Sequence, residues 1–317
     1  MSVANKHSLR LVAVGLALYS ATVMAESGDR WQMHVFYGTR AEARGHYGDA
    51  INSYSAAIKA GGHHGEPYLL RARAFYVLGE YDDAIDDLDH AIALDPEKKI
   101  AFFMRANAHY AKHEYPRAIE DYTAFIQSAP QKYLGDALDY RGRSYYALGE
   151  CTKASAELSS AVQRRTDNPW TRFRHGLARY CLGDYAAAAS DFRAALAAPA
   201  PQNYYAAIWL YLAEARTDDQ PREHLAANAE SLKLESWPGP IIAMFLNRLT
   251  PKELLDLEVG DDAKSKKQAL CEKLFFIGQH YALAGQADLA ERYFKETVDT
   301  GVLGYIEYQA AQIELRK

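Results

Sequence analysis

The residues of strongest chemical character recur at fixed intervals. Arg71, Arg105 and Arg141, with His175 in the same place, are each followed sixteen residues later by an acid: Asp87, Asp121, Glu157 and Asp191. The interval before them has Tyr37 and Ser53, so both charges are absent together. A guanidinium and a carboxylate can form two parallel charge-assisted bonds. Joint presence and joint absence favour an ion pair between two helices over arginines that hold a ligand anion. A second column holds Tyr76, Tyr110, Tyr146 and Tyr180, with Arg73, Asn107 and Arg143 three residues before the first three, on the same helical face. Phe103 and Asp139 lie four residues before Asn107 and Arg143, and Phe173 has the matching place in the next interval. Tyrosine gives a large contact area at low entropy cost, and arginine grips carboxylates, so this face suits a peptide. The same tyrosines would serve as packing between repeats, and both readings stay open here.

Other chemistry is missing. His63 and His64 sit beside Gly61, Gly62 and Gly65, where a solvated turn is expected, and no third metal ligand accompanies them. There is no phosphate-binding glycine loop, no Gly-x-Ser-x-Gly turn and no His-Glu-x-x-His helix. Acid pairs such as Asp82-Asp83 and Asp86-Asp87 fall on a repeating helix surface. The expectation is therefore a chain without catalytic residues, metal or cofactor.

The elements that carry these columns follow from one returning string. Arg44-Gly45-His46-Tyr47-Gly48-Asp49-Ala50 reappears as Leu78-Gly79-Glu80-Tyr81-Asp82-Asp83-Ala84, and again in registers that close on Ala118, Ala154 and Ala188. The closing alanines are 34, 34, 36 and 34 residues apart. Small residues (Gly38, Ala72, Ala106, Gly142, Gly176) mark the first helix of each unit, where two helices must approach closely. Bulky ones (Tyr54, Leu88, Tyr122, Leu158, Phe192) stand four after each alanine, to fill the space between helices. Pro96 and Pro130 end units. The chain is 317 residues long and 49% hydrophobic, enough for a continuous core, and its net charge of −5 with no basic block argues against nucleic acid as a partner.

A 34-residue helix-pair period resembles the tetratricopeptide (TPR) family, over residues 31 to about 199. The expected fold is all-α: a TPR-type α-solenoid of stacked antiparallel helix pairs. The resemblance implies that the first helices line a concave protein-binding groove. Its residues would be Arg73, Tyr76, Phe103, Asn107, Tyr110, Arg143, Tyr146, Phe173 and Tyr180. In such a stack Cys151, opening a second helix, and Cys181, closing the next first helix, become neighbours. A disulfide and two buried thiols are both admissible, and Cys271 has no evident mate. Beyond the repeats the pattern drifts. Residues 203–217, 221–234, 241–249 and 251–257 read as helices, with Thr250 as a cap before Pro251, and 260–267 as a charged linker. The register returns at Gly278, Ala290 and Phe294, and 305–315 reads as a capping helix. The expected divisions are 1–25, a signal peptide; 31–200, five repeats; 201–268, an irregular helical block; and 269–317, a further repeat and cap.

Residues 1–25 carry Lys6 and Arg10, then an apolar stretch at 11–21, then Val23-Met24-Ala25 before a cleavage point. Cleavage there would leave a charge of −7. The order of parts, with Trp209-Leu210-Tyr211-Leu212-Ala213-Glu214, residues 237–249, Leu274-Phe275-Phe276-Ile277-Gly278-Gln279-His280-Tyr281 and Gly304-Tyr305-Ile306-Glu307-Tyr308, resembles the NlpI family of periplasmic TPR lipoproteins. That resemblance implies an envelope adaptor that docks proteases and peptidoglycan hydrolases, often as a homodimer. The family's lipid-bearing cysteine is absent near Ala25, so a soluble periplasmic form without a lipid anchor is expected. The alternative role is a structural component of an envelope or secretion complex.

Overall fold

The computed structural model describes residues 30–317 except 62, 129, 165–167, 198–202 and 219. The expected signal peptide, 1–25, lies outside the described residues. Among those described there are seventeen α-helices and no strand. Contacts divide the chain into two compact units between Ser128 and Ala129. The division falls after the third repeat, so the fourth and fifth share a unit with everything that follows them.

The first unit is three helix pairs: α1 (Arg30–Glu42) with α2 (Tyr47–Ala60), α3 (Gly65–Leu78) with α4 (Tyr81–Leu94), and α5 (Ile100–Ala111) with α6 (Tyr115–Ile126). The periodic small and bulky residues explain the pairing. Ala50, Ala84 and Ala118 are fully buried, as are Ala72, Ala106, Leu88 and Tyr122, and Tyr54 fills the space opposite Gly38. A Cβ built on Gly38 would stand 2.4 Å from the Tyr54 ring, so glycine is required for that approach. The turn inside a pair needs a left-handed residue after the first helix. Gly79 supplies it at φ 82°, and His113 takes the same place at φ 62°.

The second unit continues with α7 (Gln131–Ala147), α8 (Cys151–Arg164), α9 (Pro169–Cys181) and α10 (Tyr185–Leu196). The irregular block supplies α11 (Asn203–Glu214), α12 (Pro221–Ala229), α13 (Gly239–Phe245) and α14 (Pro251–Asp256). Then follow α15 (Ala263–Leu283), α16 (Ala287–Asp299) and α17 (Ile306–Glu314). The block is the centre of this unit rather than a spacer. Trp209 of α11 is buried against the rings of Tyr180, Phe192, Phe275 and Phe276, at centroid distances of 5.2, 6.2, 5.5 and 6.2 Å. One apolar core runs from Tyr146 through α11 and α13 to Ile313. The returning register is real in space: Gly278 of α15 faces Phe294 of α16 as Gly176 of α9 faces Phe192 of α10.

Four spans differ from the sequence reading by more than one residue, the first being the helix expected at 203–217, which stops at Glu214. The charged linker at 260–267 is shorter, because Asp262 accepts from the backbone N–H groups of Lys264 and Ser265, both at 2.8 Å, and starts α15 at Ala263. The helix expected at 221–234 stops at Ala229, and that expected at 241–249 runs Gly239–Phe245. The Thr250 cap is formed as expected, with Glu253 closing a reciprocal capping box.

Candidate protein-binding face

The basic and acidic columns meet inside each unit. Arg71 of α3 donates Nε and Nη2 to the two oxygens of Asp87 on α4, both at 2.7 Å, and Nη1 to Ser55 Oγ of α2 at 2.8 Å. Arg105 of α5 grips Asp121 of α6 the same way, at 2.8 and 2.7 Å, and reaches back to Asp89 of α4. Each of these arginines therefore ties its own pair and the preceding second helix. Arg141 donates to Glu157 at 2.7 Å. His175 Nδ1 lies 3.0 Å from Asp191 without hydrogen-bond alignment, and Arg179 completes that acid at 2.8 Å. These charges hold helices together.

The expected groove residues divide by unit. In the first, Arg73 donates bidentately to Glu42 of α1, at 2.6 and 2.8 Å, and Tyr54 Oη donates to the same carboxylate at 2.8 Å. Both groups respond as such partners must: the Arg73 pKa is raised by its bond to Glu42, while Glu42 is lowered, the bonds from Arg73 and Tyr54 outweighing its burial. Asn107 accepts from Tyr122 Oη at 2.6 Å. Tyr76 and Tyr110 rest on the turn tyrosines five residues on, Tyr81 and Tyr115, at 5.4 and 5.5 Å between centroids. Phe103 leans on Phe125 at 4.9 Å. This part of the ladder stays accessible: Tyr76 is 37% exposed, and Phe103, Asn107 and Tyr110 are half-buried.

In the second unit the chain covers its own ladder. Tyr146, Phe173 and Tyr180 are buried in the core. Tyr180 Oη donates to Gln279 Oε1 of α15 at 3.2 Å, and Arg216 donates to the same oxygen at 3.2 Å while lying 5.0 Å above the Tyr180 ring. Gln279 in turn donates to Glu314 of α17 at 3.5 Å, and Arg316 Nη1 donates to the Leu148 carbonyl at 2.9 Å. Arg143 lies half-buried with its guanidinium 4.8 Å from the Tyr140 ring. Asp139 is buried and accepts from Arg174 at 2.9 Å. Gln279 was missed in the sequence, although its signal was present. It follows the small residue Gly278, as Arg73, Asn107 and Arg143 follow Ala72, Ala106 and Gly142.

Cys151 and Cys181 are joined, their Cα atoms 6.0 Å apart. Cys271 is buried, and burial pushes its thiol up to about 12. His64 stacks on Trp31 at 4.3 Å. Among the described residues no group of three or more metal-ligating side chains converges.

Known proteins match this architecture. The tetratricopeptide repeat family TPR_16 matches residues 38–99 and 69–133. YrrB, described as a TPR protein with an unusual peptide-binding site, superposes with a TM-score of 0.54 at 20% identity, over 63% of this chain and 100% of its own. A tetratricopeptide repeat protein from Parabacteroides merdae gives 0.55 at 14% identity, over 90% of this chain and 98% of its own. The C-terminal part of a TPR repeat-containing protein from Cytophaga hutchinsonii gives 0.54 at 19%, over 85% and 95%. Residues 38–133 thus carry tetratricopeptide repeats, and the fold of the described chain is similar to that of these tetratricopeptide-repeat structures.

Proposed function

We propose that this chain is an exported adaptor that binds segments of partner proteins along the accessible tyrosine ladder of its first unit, in the manner of the NlpI family. The observation that carries this reading is the contrast between the two units. The same column of residues is covered in the second unit by α15 and α17, and lies accessible at Tyr76, Phe103, Asn107 and Tyr110 in the first. Accessible tyrosines on rigid helices give large contact area at small entropic cost. The peptide-binding site described for YrrB supports the same use of a TPR stack. The Cys151–Cys181 bond suits an oxidising compartment, which supports the periplasmic location inferred from residues 1–25. Envelope proteases and peptidoglycan hydrolases are the proposed partners, and a homodimer is part of the same reading. The adaptor acts by raising the effective concentration of one partner near another.

The test is affinity capture from envelope extracts with the native chain and with a Tyr76→Ala/Tyr110→Ala variant. Arg73 is kept, because its removal would release Glu42 and disturb the stack. The expected result is a protease or cell-wall hydrolase captured by the native chain and lost from the variant at unchanged helicity. Equal capture by both would refute the use of this face.

A further inference from the structure

The second unit contains a cavity of about 250 Å³ that no repeat feature explains. Trp170 and Phe173 of α9, Tyr205 of α11 and Tyr305, which precedes α17, form aromatic walls, and Glu272 of α15 and Glu307 of α17 supply two carboxyl groups. Glu272 and Glu307 are only 5% and 4% exposed. Glu272 Oε2 accepts from Tyr205 Oη and from Trp237 Nε1, both at 2.9 Å. Among the described residues no other side chain is hydrogen-bonded to the Glu307 carboxylate. Among the described residues neither acid has an ion-pair partner. Lys273, next along α15, points its ammonium elsewhere, donating to the carbonyls of Leu255, at 3.3 Å, and Leu257.

Two acids in a water-poor pocket without a counter-charge are an unusual expense. Burial raises both carboxyl groups above the ordinary carboxylate range, and the charge on Glu272 raises Glu307 further. The arrangement repels anions and gives a neutral ligand nothing to neutralise. It favours a cation, whose charge the carboxylates meet directly and whose flanks the ring faces attract. The space is that of one side chain, and carboxyl groups from two different helices suit a compact ammonium with three donors better than a planar guanidinium.

We propose that this cavity binds a lysine side chain of a partner polypeptide, its ammonium between Glu272 and Glu307 and its methylene stem against Trp170 and Phe173. Binding then draws protons off the carboxyl groups, because the ammonium stabilises their ionised forms. The inference does not depend on the ladder of the first unit or on the periplasmic role.

The experiment is calorimetric titration of the full chain near pH 7.5 in two buffers of different ionisation enthalpy. The probes are acetyl-Gly-Lys-Gly-amide, its norleucine counterpart and n-butylamine. The lysine peptide is expected to bind with proton release and the norleucine peptide not to bind. Glu307→Gln should weaken the lysine peptide by about tenfold or more and reduce the proton release. Trp170→Ala, at the rim, should weaken binding and leave proton release intact. Equal binding of the norleucine peptide, no heat with the lysine peptide at millimolar concentration, or binding indifferent to Glu307→Gln would overturn the proposal. Butylamine bound as tightly as the lysine peptide would overturn the assignment to a polypeptide. The Tyr76→Ala/Tyr110→Ala variant should titrate like the native chain, so this inference and the adaptor reading fail separately.

Discussion

Charged residues here are positioned by the charge that faces them. Arg71 and Asp87 form a two-bond pair with the acid buried and the base partly in water. Water at the guanidinium discounts the pair, so its coupling should be modest. A double-mutant cycle with Arg71→Ala and Asp87→Ala should give about 1–3 kcal/mol by chemical denaturation. A coupling near zero would mean that the pair only accompanies helix packing. Glu307 shows the opposite case. Its folded-state pKa lies above the ordinary 4.5 because of burial and then the charge of Glu272. The unfolded chain therefore loses this proton first as pH rises. Stability from this group is full at acid pH and falls as pH climbs above 4.5, levelling off once the folded-state pKa is passed. Glu307→Gln should therefore gain thermal stability over the native chain, by an increment that grows between about pH 5 and 8. A constant difference across that range would contradict the assignment.

Helices were legible where small and bulky residues repeat, because that register is a local packing rule. Gly38 against Tyr54, Gly176 against Phe192 and Gly278 against Phe294 obey it in three separate repeats. The rule can be tested at one position. Gly176→Ala would place a Cβ 2.7 Å from the buried Phe192 ring and should lower stability by about 1–3 kcal/mol, measured by thermal unfolding. What the register could not reveal is the role of α11. Trp209 carries no repeat signature, and its position at the centre of the second unit depends on aromatic residues far away in sequence, Phe275 and Phe276 among them. The cover over Tyr146 and Tyr180 was hidden for a related reason: the register of α15 shows that a helix pair is formed there, and not that α15 and α17 pack on residues 99 or more positions earlier in the chain. Between Cys151 and Cys181, spacing admitted both a bond and two thiols, and the ends of α8 and α9 bring the sulfurs together. Closing a loop of sequence separation 30 restricts the unfolded chain, so reduction or Cys181→Ser should cost about 3–4 kcal/mol. Cys271 should stay unreactive to thiol reagents until unfolding, since burial disfavours its thiolate.

Two compact units divide the labour that the repeat pattern alone would have spread evenly along the chain. The second consumes its ladder to hold α15 and α17, and the first keeps its ladder accessible. Repeat type and helix pairing were thus readable from the sequence, while the portion of the ladder available to a partner was decided by long-range burial. The most direct test of the account places a photo-crosslinking phenylalanine analogue at Tyr76, at Tyr110 and, as a control on an exposed second-helix position of the same unit, at Leu94. The account predicts crosslinks to a captured envelope protein from positions 76 and 110 and none from 94. Crosslinks from 94 alone would contradict it and move the binding surface to the opposite helices.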